Sequence, residues 1–343
     1  MSAAHKALLV GVAGVGHLGS VHARLWKQHD GVEFVGVFDT DEARCREIAE
    51  EHSVRAFASY AELLSSIDAL SLVTPTSTHA SLGYEALHRG IHCFIEKPIT
   101  ATFAEAGPLI DEAQRQSLVL QVGHVERFNP AILALDPTDL EPMFIESHRM
   151  AQFKLRATDV AVVHDLMIHD IDLVLHLVRS PVVEVRASGV AVVSDTIDIA
   201  NARLEFANGC VANLTASRIS QRPMRKMRLF RRDAYISVDF AKPGVEVFRI
   251  SDKDDSMREA DGIAPTSASM LLGDIDLGTR RRAITYEQPQ LENVNAIARE
   301  HEEFVNAIRA GSQPPVTGSE AAAALRVAEE IVAQIAERGI AEA

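Results

Sequence analysis

Near the N-terminus an unbroken apolar run, Ala7 to Ala13, meets Gly14-Val15-Gly16-His17-Leu18-Gly19 and then a helically periodic segment, Gly19 to His29. A buried strand, a glycine turn and a helix in that order constrain the fold more than any other feature of the chain. The spacing is G-x-G-x-x-G. The first glycine permits a tight turn, the second lets the backbone approach a pyrophosphate, and the third lets helix and strand pack closely. The helix N-terminus then offers free N–H groups and a partial positive charge. A second strand, Val32 to Phe38, ends at Asp39, twenty residues after Gly19. An acid there hydrogen-bonds the ribose 2′-hydroxyl of NAD and repels the 2′-phosphate of NADP. Arg44 lies close enough to moderate that preference. A plain glycine turn with Asp39 as a helix cap is the competing reading. The strand–turn–helix context favours an NAD site.

The first third goes on alternating. Helical segments at Asp41–His52, Thr78–Arg89 and Thr102–Gln116 separate apolar strands at Asp68–Thr74, His92–Ile95 and Leu118–Val122. This is the pattern of βαβ units on a parallel sheet. It ends near residue 124, which divides the chain into expected domains 1–124 and 125–343. After one helix, Asp165–Val178, strands follow one another: Val182–Ser194, Asp198–Phe206, Cys210–Ser217, Arg225–Phe230, Ala234–Phe240 and Val245–Ile250. Asn208-Gly209 is a hairpin turn signal. An antiparallel sheet with one face covered by helix follows. Asp252–Asp261 reads as a loop, and two amphipathic helices, Leu291–Arg309 and Ser319–Arg338, close the chain.

With 48 acidic against 34 basic residues the net charge is -14, which disfavours nucleic acid or an anionic membrane as partner. No segment approaches the ~20 apolar residues of a membrane span. The first apolar run contains Gly11, Gly14 and Gly16, so a buried strand explains it better than an export signal. Cys45, Cys93 and Cys210 are too few and scattered for a disulfide framework or a metal finger, so the expected setting is reducing and cytoplasmic.

Two further segments carry chemistry. Glu96-Lys97-Pro98 ends a parallel strand, where ligands bind in open α/β sheets, although a surface lysine on a loop would look the same. On the helix from Asp165 to Val178, Asp165, His169, Asp172 and His176 share a stripe ~60° wide at ~100° per residue. Nearly everything else on it is apolar. The stripe can be a proton-transfer pair, a satisfied core network or a metal site. Asp170 points elsewhere and reads as structural, with Asp172 and His176 as packing partners. Trp26 and His22 read as core.

Together Gly14-x-Gly16-x-x-Gly19, Thr74-Pro75-Thr76 with His79, Glu96-Lys97-Pro98 and Asp165-x-x-x-His169-x-x-Asp172 resemble the Gfo/Idh/MocA family of sugar and polyol oxidoreductases, over almost the whole chain. The resemblance implies an α/β architecture: an N-terminal Rossmann dinucleotide-binding domain and a C-terminal α/β domain with an open, mostly antiparallel sheet. The sheet face of such proteins commonly joins a homodimer or homotetramer. The resemblance also implies Lys97, Asp165 and His169 as the catalytic set. It gives Gly14, Gly16, His17, Leu18, Gly19, Asp39, Thr74, Pro75, Thr76, His79, Glu96 and Lys97 as the NAD-binding set, with no metal. Gly123 to Pro130 and Asp165 to Asp172 look like the branch containing UDP-N-acetylglucosamine 3-dehydrogenases. His164 departs from it, since an apolar residue is expected before Asp165.

That branch implies a nucleotide-sugar substrate whose 3-hydroxyl becomes a ketone. A pyridoxal-phosphate aminotransferase would act downstream, toward amide-linked lipid A. His169 is the better general base because an unperturbed imidazole titrates near neutrality. Asp165 would orient it and Lys97 would stabilise developing charge. A depressed Lys97 pKa would make the lysine the base instead. NADH could leave or be recycled in place by a keto acid. For a diphosphate, Arg127, Asn129, Arg149 and Arg156 are candidates, with salt bridging as their alternative. The basic run Arg222, Arg225, Lys226, Arg228, Arg231, Arg232 reads as a solvent- or subunit-facing strand before it reads as an anion site. The competing functions are a dehydrogenase of a free polyol or sugar such as inositol, a non-catalytic NAD-binding sensor or scaffold, and a metal-dependent enzyme.

Overall fold

The computed structural model describes residues 7–136, 141–154, 160–252, 270–276 and 281–338. The chain packs as two units, Met1–Val125 with Asn295–Glu329, and Glu126–Val294 with Glu330–Ala343. An expected second domain of 125–343 therefore needs correction, because a late segment returns to the first unit.

The first unit is built on a six-stranded parallel sheet. Its strands are β1 (Leu8–Ala13), β2 (Val32–Phe38), β3 (Arg55–Ala56), β4 (Ala69–Leu72), β5 (His92–Glu96) and β6 (Leu120–Gly123), in the order β3-β2-β1-β4-β5-β6. The order reverses between β1 and β4, where such sheets open a crevice at their C-terminal edge. Its helices are α1 (His17–Lys27), α2 (Glu42–His52), α3 (Tyr60–Leu64), α4 (His79–His88) and α5 (Phe103–Gln116). The sequence pattern missed β3 and α3, which are too short to show a period. α1 begins two residues earlier than expected, directly after Gly16. Asp41 caps α2 by accepting the Ala43 and Arg44 N–H groups.

The second unit carries a nine-stranded sheet. α6 (Pro130–Leu133) and β7 (Phe144–Met150) come first, followed by α7 (Ile168–Val178). Then come β8 (Val182–Val190), β9 (Ile199–Phe206), β10 (Val211–Ser217), β11 (Met224–Phe230), β12 (Ala234–Asp239), β13 (Gly244–Asp252), β14 (Met270–Asp276) and β15 (Arg281–Glu287). The order is β14-β15-β13-β12-β11-β7-β10-β9-β8, antiparallel except at β7/β10. β7, β14 and β15 were absent from the expected strands. Most of the expected loop Asp252–Asp261 lies outside the described residues. One face of the sheet is buried, with Ile145, Leu214, Leu229 and Ile236 fully covered, and α7 packs on β7 and β10. The half-exposed face carries one row of rings across five strands: Phe144, Phe230, Tyr235, Phe248 and Tyr286, at centroid distances of 5.8, 5.1, 5.7 and 4.9 Å.

Two helices close the chain, α8 (Ala296–Ala310) and α9 (Gly318–Glu337). Phe304 and Val305 of α8 join Val10, Val12, Trp26, Val37 and Phe94 in the core of the first unit. No helix among the described residues is long and apolar enough to cross a membrane.

Candidate functional site

The glycine turn is built as its spacing requires. Gly14 sits at φ +85°, and a Cβ there would stand 2.6 Å from the Val73 carbonyl oxygen at the end of β4. At Gly19 a Cβ would stand 1.9 Å from the Gly14 oxygen, so only glycine lets α1 approach the turn this closely. Gly16 is different: a Cβ would meet nothing within 4 Å. Gly16, His17 and Leu18 are exposed, and no side chain caps α1. An uncapped eleven-residue helix facing open space offers its first N–H groups to an anion. Asp39 accepts the Val15 N–H at 2.7 Å and the Asp41 N–H at 2.9 Å, each on a different oxygen with a second lone pair to spare. Arg44 donates to the Val15 carbonyl at 3.1 Å and pairs with Glu47 at 2.7 Å, so it is partly engaged inside the turn. These residues fit a dinucleotide: an open turn, free donors, and a carboxylate at the end of β2.

The ends of β4 and β5 border the same turn. Thr74, Pro75 and Thr76 follow β4, with the Thr74 and Thr78 hydroxyls 2.7 Å apart. His79 does not face outward with them. It is buried, its ring nitrogens 2.9 Å from the carbonyls of Thr74 and Pro98. Burial lowers its pKa against the pull of the two carbonyls. His79 therefore ties the two loops together, and its expected place as a cofactor contact is corrected to a loop tie. Glu96 is corrected likewise: its carboxylate is buried, accepting the Lys97 N–H at 3.1 Å and lying 3.2 Å from His22 Nε2. Lys97 itself is half-buried at the C-terminal end of β5.

In the second unit the expected helical stripe is not one surface. Val163–Met167 winds as a π turn before α7 begins at Ile168. An i→i+5 turn advances each residue by less than an α-helix does, so Asp165 and His169 do not keep the 100° register with Asp172 and His176. Asp165, His164 and His169 are half-buried at this junction. Asp172 is buried and holds Arg127 at 2.6 and 2.8 Å, with His176 3.1 Å from the same guanidinium.

That pairing removes three of the four diphosphate candidates. Arg149 donates to Asp170 at 2.8 and 3.0 Å and to Glu126 at 2.7 Å. Burial opposes its charge, but Asp170 and Glu126 outweigh burial and hold its pKa above the ordinary value. Asn129 caps α6 through Ala131 and donates to Glu126 at 3.0 Å. Arg127, Asn129 and Arg149 are buried structural partners rather than an open anion site. Arg156 lies outside the described residues. Half of the basic run is also paired: Lys226 with Asp239 and Arg228 with Glu146 across neighbouring strands, at 3.3 and 3.5 Å, and Arg231 with Asp233 within the β11–β12 turn, at 3.3 Å.

Comparison with known proteins agrees with this geometry. Residues 8–124 match the model of an oxidoreductase family with an NAD-binding Rossmann fold, and residues 142–237 match the Gfo/Idh/MocA C-terminal domain. The chain is 41% identical over 301 residues, 88% of each chain, to a UDP-N-acetylglucosamine 3-dehydrogenase of Acidithiobacillus ferrooxidans. A solved structure of that enzyme superposes with a TM-score of 0.83, covering 96% of this chain and 98% of the other at 37% identity. A scyllo-inositol 2-dehydrogenase (NAD(+)) of Bacillus subtilis is 28% identical over 61% of this chain and 67% of its own.

Proposed function

The chain belongs to the Gfo/Idh/MocA family of NAD-binding oxidoreductases, and from that premise we propose that it oxidises the 3-hydroxyl of UDP-N-acetylglucosamine to a ketone. The observation that carries the substrate is the likeness to the Acidithiobacillus enzyme, which extends over both units rather than the cofactor domain alone. The first N–H groups of α1, at Gly16, His17 and Leu18, would hold the pyrophosphate, and Asp39 the ribose. Thr74, Pro75 and Thr76 would border the cofactor. NAD, when bound, supplies a hydride acceptor.

The chain's own residues handle the proton. A secondary hydroxyl must lose its proton as its carbon gives up hydride. His169 takes that proton, Asp165 orients the imidazole, and Lys97 hydrogen-bonds the substrate oxygen and stabilises its developing charge. Arg156 is the retained candidate for the diphosphate.

The product would be a 3-keto nucleotide sugar for a pyridoxal-phosphate aminotransferase on the route to amide-linked lipid A. The row from Phe144 to Tyr286 supports a second copy of the chain over the sheet, hence a homodimer or homotetramer. Three buried free thiols, Cys45, Cys93 and Cys210, suit a cytoplasmic setting.

The test is NADH formation followed by absorbance. Purified protein and NAD are mixed with UDP-N-acetylglucosamine, free N-acetylglucosamine, glucose or inositol, each with and without 2-oxoglutarate. Turnover that requires the nucleotide is the expected result. Turnover of inositol or a free sugar would keep the chemistry and replace the substrate.

A further inference from the structure

The second unit holds a buried knot of polar groups that the roles above leave unused. Asp198, directly before β9, is fully buried. Its Oδ2 accepts the N–H groups of Val192, Val193 and Ser194 at 2.8, 2.7 and 2.9 Å, and its Oδ1 accepts the Ser194 hydroxyl at 2.7 Å. One carboxylate thus shapes the β8–β9 connection. Arg218, the residue after β10, is also buried, and its backbone N–H donates to the Asp198 carbonyl at 3.0 Å. Its guanidinium lies beside the same carboxylate as an ion pair, Nε 3.6 Å from Oδ1.

This knot grips the chain where it enters the π turn. Arg218 Nη2 donates to the Val160 carbonyl and, at 3.4 Å, to the Ile197 carbonyl. The Thr196 hydroxyl donates to the same Val160 carbonyl at 3.3 Å. Val162 ties back in turn, its N–H donating to the Ile197 carbonyl at 2.9 Å. Between these two held residues stands Ala161. Its carbonyl accepts the His164 and Asp165 N–H groups at 3.0 and 3.1 Å. The turn therefore starts from a carbonyl that is fixed on either side, and any shift of that carbonyl carries the Asp165 backbone with it. An arginine suits the place because its planar fork can serve two carbonyls while its charge faces a carboxylate.

We propose that Arg218 is a positioning residue for proton transfer: it holds Val160–Val162 against the β8–β9 connection and so fixes where Asp165 and His169 leave the π turn. The inference rests on the reading of Asp165 and His169 as the proton-handling pair.

Two substitutions separate positioning from packing. Arg218→Lys keeps the charge beside Asp198 and a donor for the Val160 carbonyl. Arg218→Met keeps the stem and removes both. Three readouts apply to each: kcat per folded molecule with NAD and UDP-N-acetylglucosamine, NAD affinity by direct titration, and hydrogen exchange at the Asp165 amide. Arg218→Met should lose about 100-fold in kcat, the scale of a small misplacement of a reacting group. Its NAD affinity should stay at the parent value, because the glycine turn belongs to the other unit. Its Asp165 amide should exchange severalfold faster, beyond any change at the amides of β12. Arg218→Lys should recover most of the lost kcat. A methionine variant with the parent kcat, or equal losses in the two variants, would overturn the proposal. Should the parent turn over none of the sugars, the substrate reading fails, while exchange at Asp165 still decides this inference. Native-state exchange of the parent protein decides it even where Arg218→Met does not fold. The Val162 and Asp165 amides should open together, with the same urea dependence. An Asp165 amide that opens while Val162 stays protected would overturn the link.

Discussion

The two units bury their polar groups by different means. Among the described residues every buried histidine (His22, His52, His79, His124 and His301) lies in the first unit, and every buried arginine (Arg127, Arg149 and Arg218) in the second. Imidazoles can donate and accept without carrying charge, so they can fix loops beside a cofactor that brings charges of its own. Arginine–carboxylate pairs carry full charge on both partners and hold a framework rigidly, because losing either partner strands the other. In the first unit His79 thus ties the loops beside the glycine turn and Lys97, and in the second the buried arginine pairs hold the sheet and α7 together.

The largest expected effect tests the chemistry itself. Lys97→Ala should cost on the order of 10²–10⁴ in kcat, the range for a positioned proton-handling group, while NAD still binds. Steady-state rates beside cofactor titration read both quantities. Loss of NAD binding with normal turnover at saturating NAD would contradict the assigned role.

Next comes the framework. Arg149→Met leaves Asp170 and Glu126 without their cation and should destabilise by about 3–5 kcal/mol in urea unfolding. A substrate KM increase with unchanged stability would mean that the guanidinium belongs to the site after all.

Two glycines sharpen the contrast inside the first unit. Gly19→Ala forces a Cβ against the Gly14 carbonyl and should cost about 1–3 kcal/mol of stability, as overpacking does. Gly16→Ala meets open space, so unfolding should change by less than about 0.5 kcal/mol. Its NAD affinity should nonetheless fall roughly tenfold, about 1.4 kcal/mol. Equal stability losses for the two would remove the distinction.

The smallest effect near neutrality is that of pH. Burial lowers the pKa of His29, His79, His92 and His301, all in the first unit. A histidine depressed on folding contributes stability above the unfolded value of 6.5 and loses it as pH falls below that value. In the second unit Asp198 is buried, which alone would raise its pKa. Hydrogen bonds from Ser194, Val193 and Val192 outweigh this and bring it to about 2. Its stabilisation is present above 3.8 and is lost only as pH falls toward 2. Hydrogen exchange between pH 7 and 4 should therefore show amides of the first unit opening before those of the second. The reverse order would break the comparison.

Local signals carried much of this. The run into Gly14 and the acid at Asp39 were legible because each depends on near neighbours in sequence. β7 was hidden because its inward side carries Ser147 and Arg149, which look polar until Asp170 is seen opposite. The π turn at Val163–Met167 leaves no trace in an apolar pattern read at the α period. At Arg127 and Arg149 the sequence leaves diphosphate contact and salt bridging both open, because residue type does not reveal a partner 45 or 21 positions away. His22 and His301, 279 positions apart, are joined only by the return of α8 to the first unit. An amphipathic helix shows that it will be covered, not by what.

The most direct test of the account follows the hydrogen itself. UDP-N-acetylglucosamine carrying deuterium at C3 is incubated with the protein and NAD, and the reduced cofactor is analysed by mass spectrometry. The account predicts NADH one mass unit heavier from the C3-labelled substrate and unlabelled NADH from a C4-labelled one. Unlabelled NADH from the C3-deuterated sugar would contradict it.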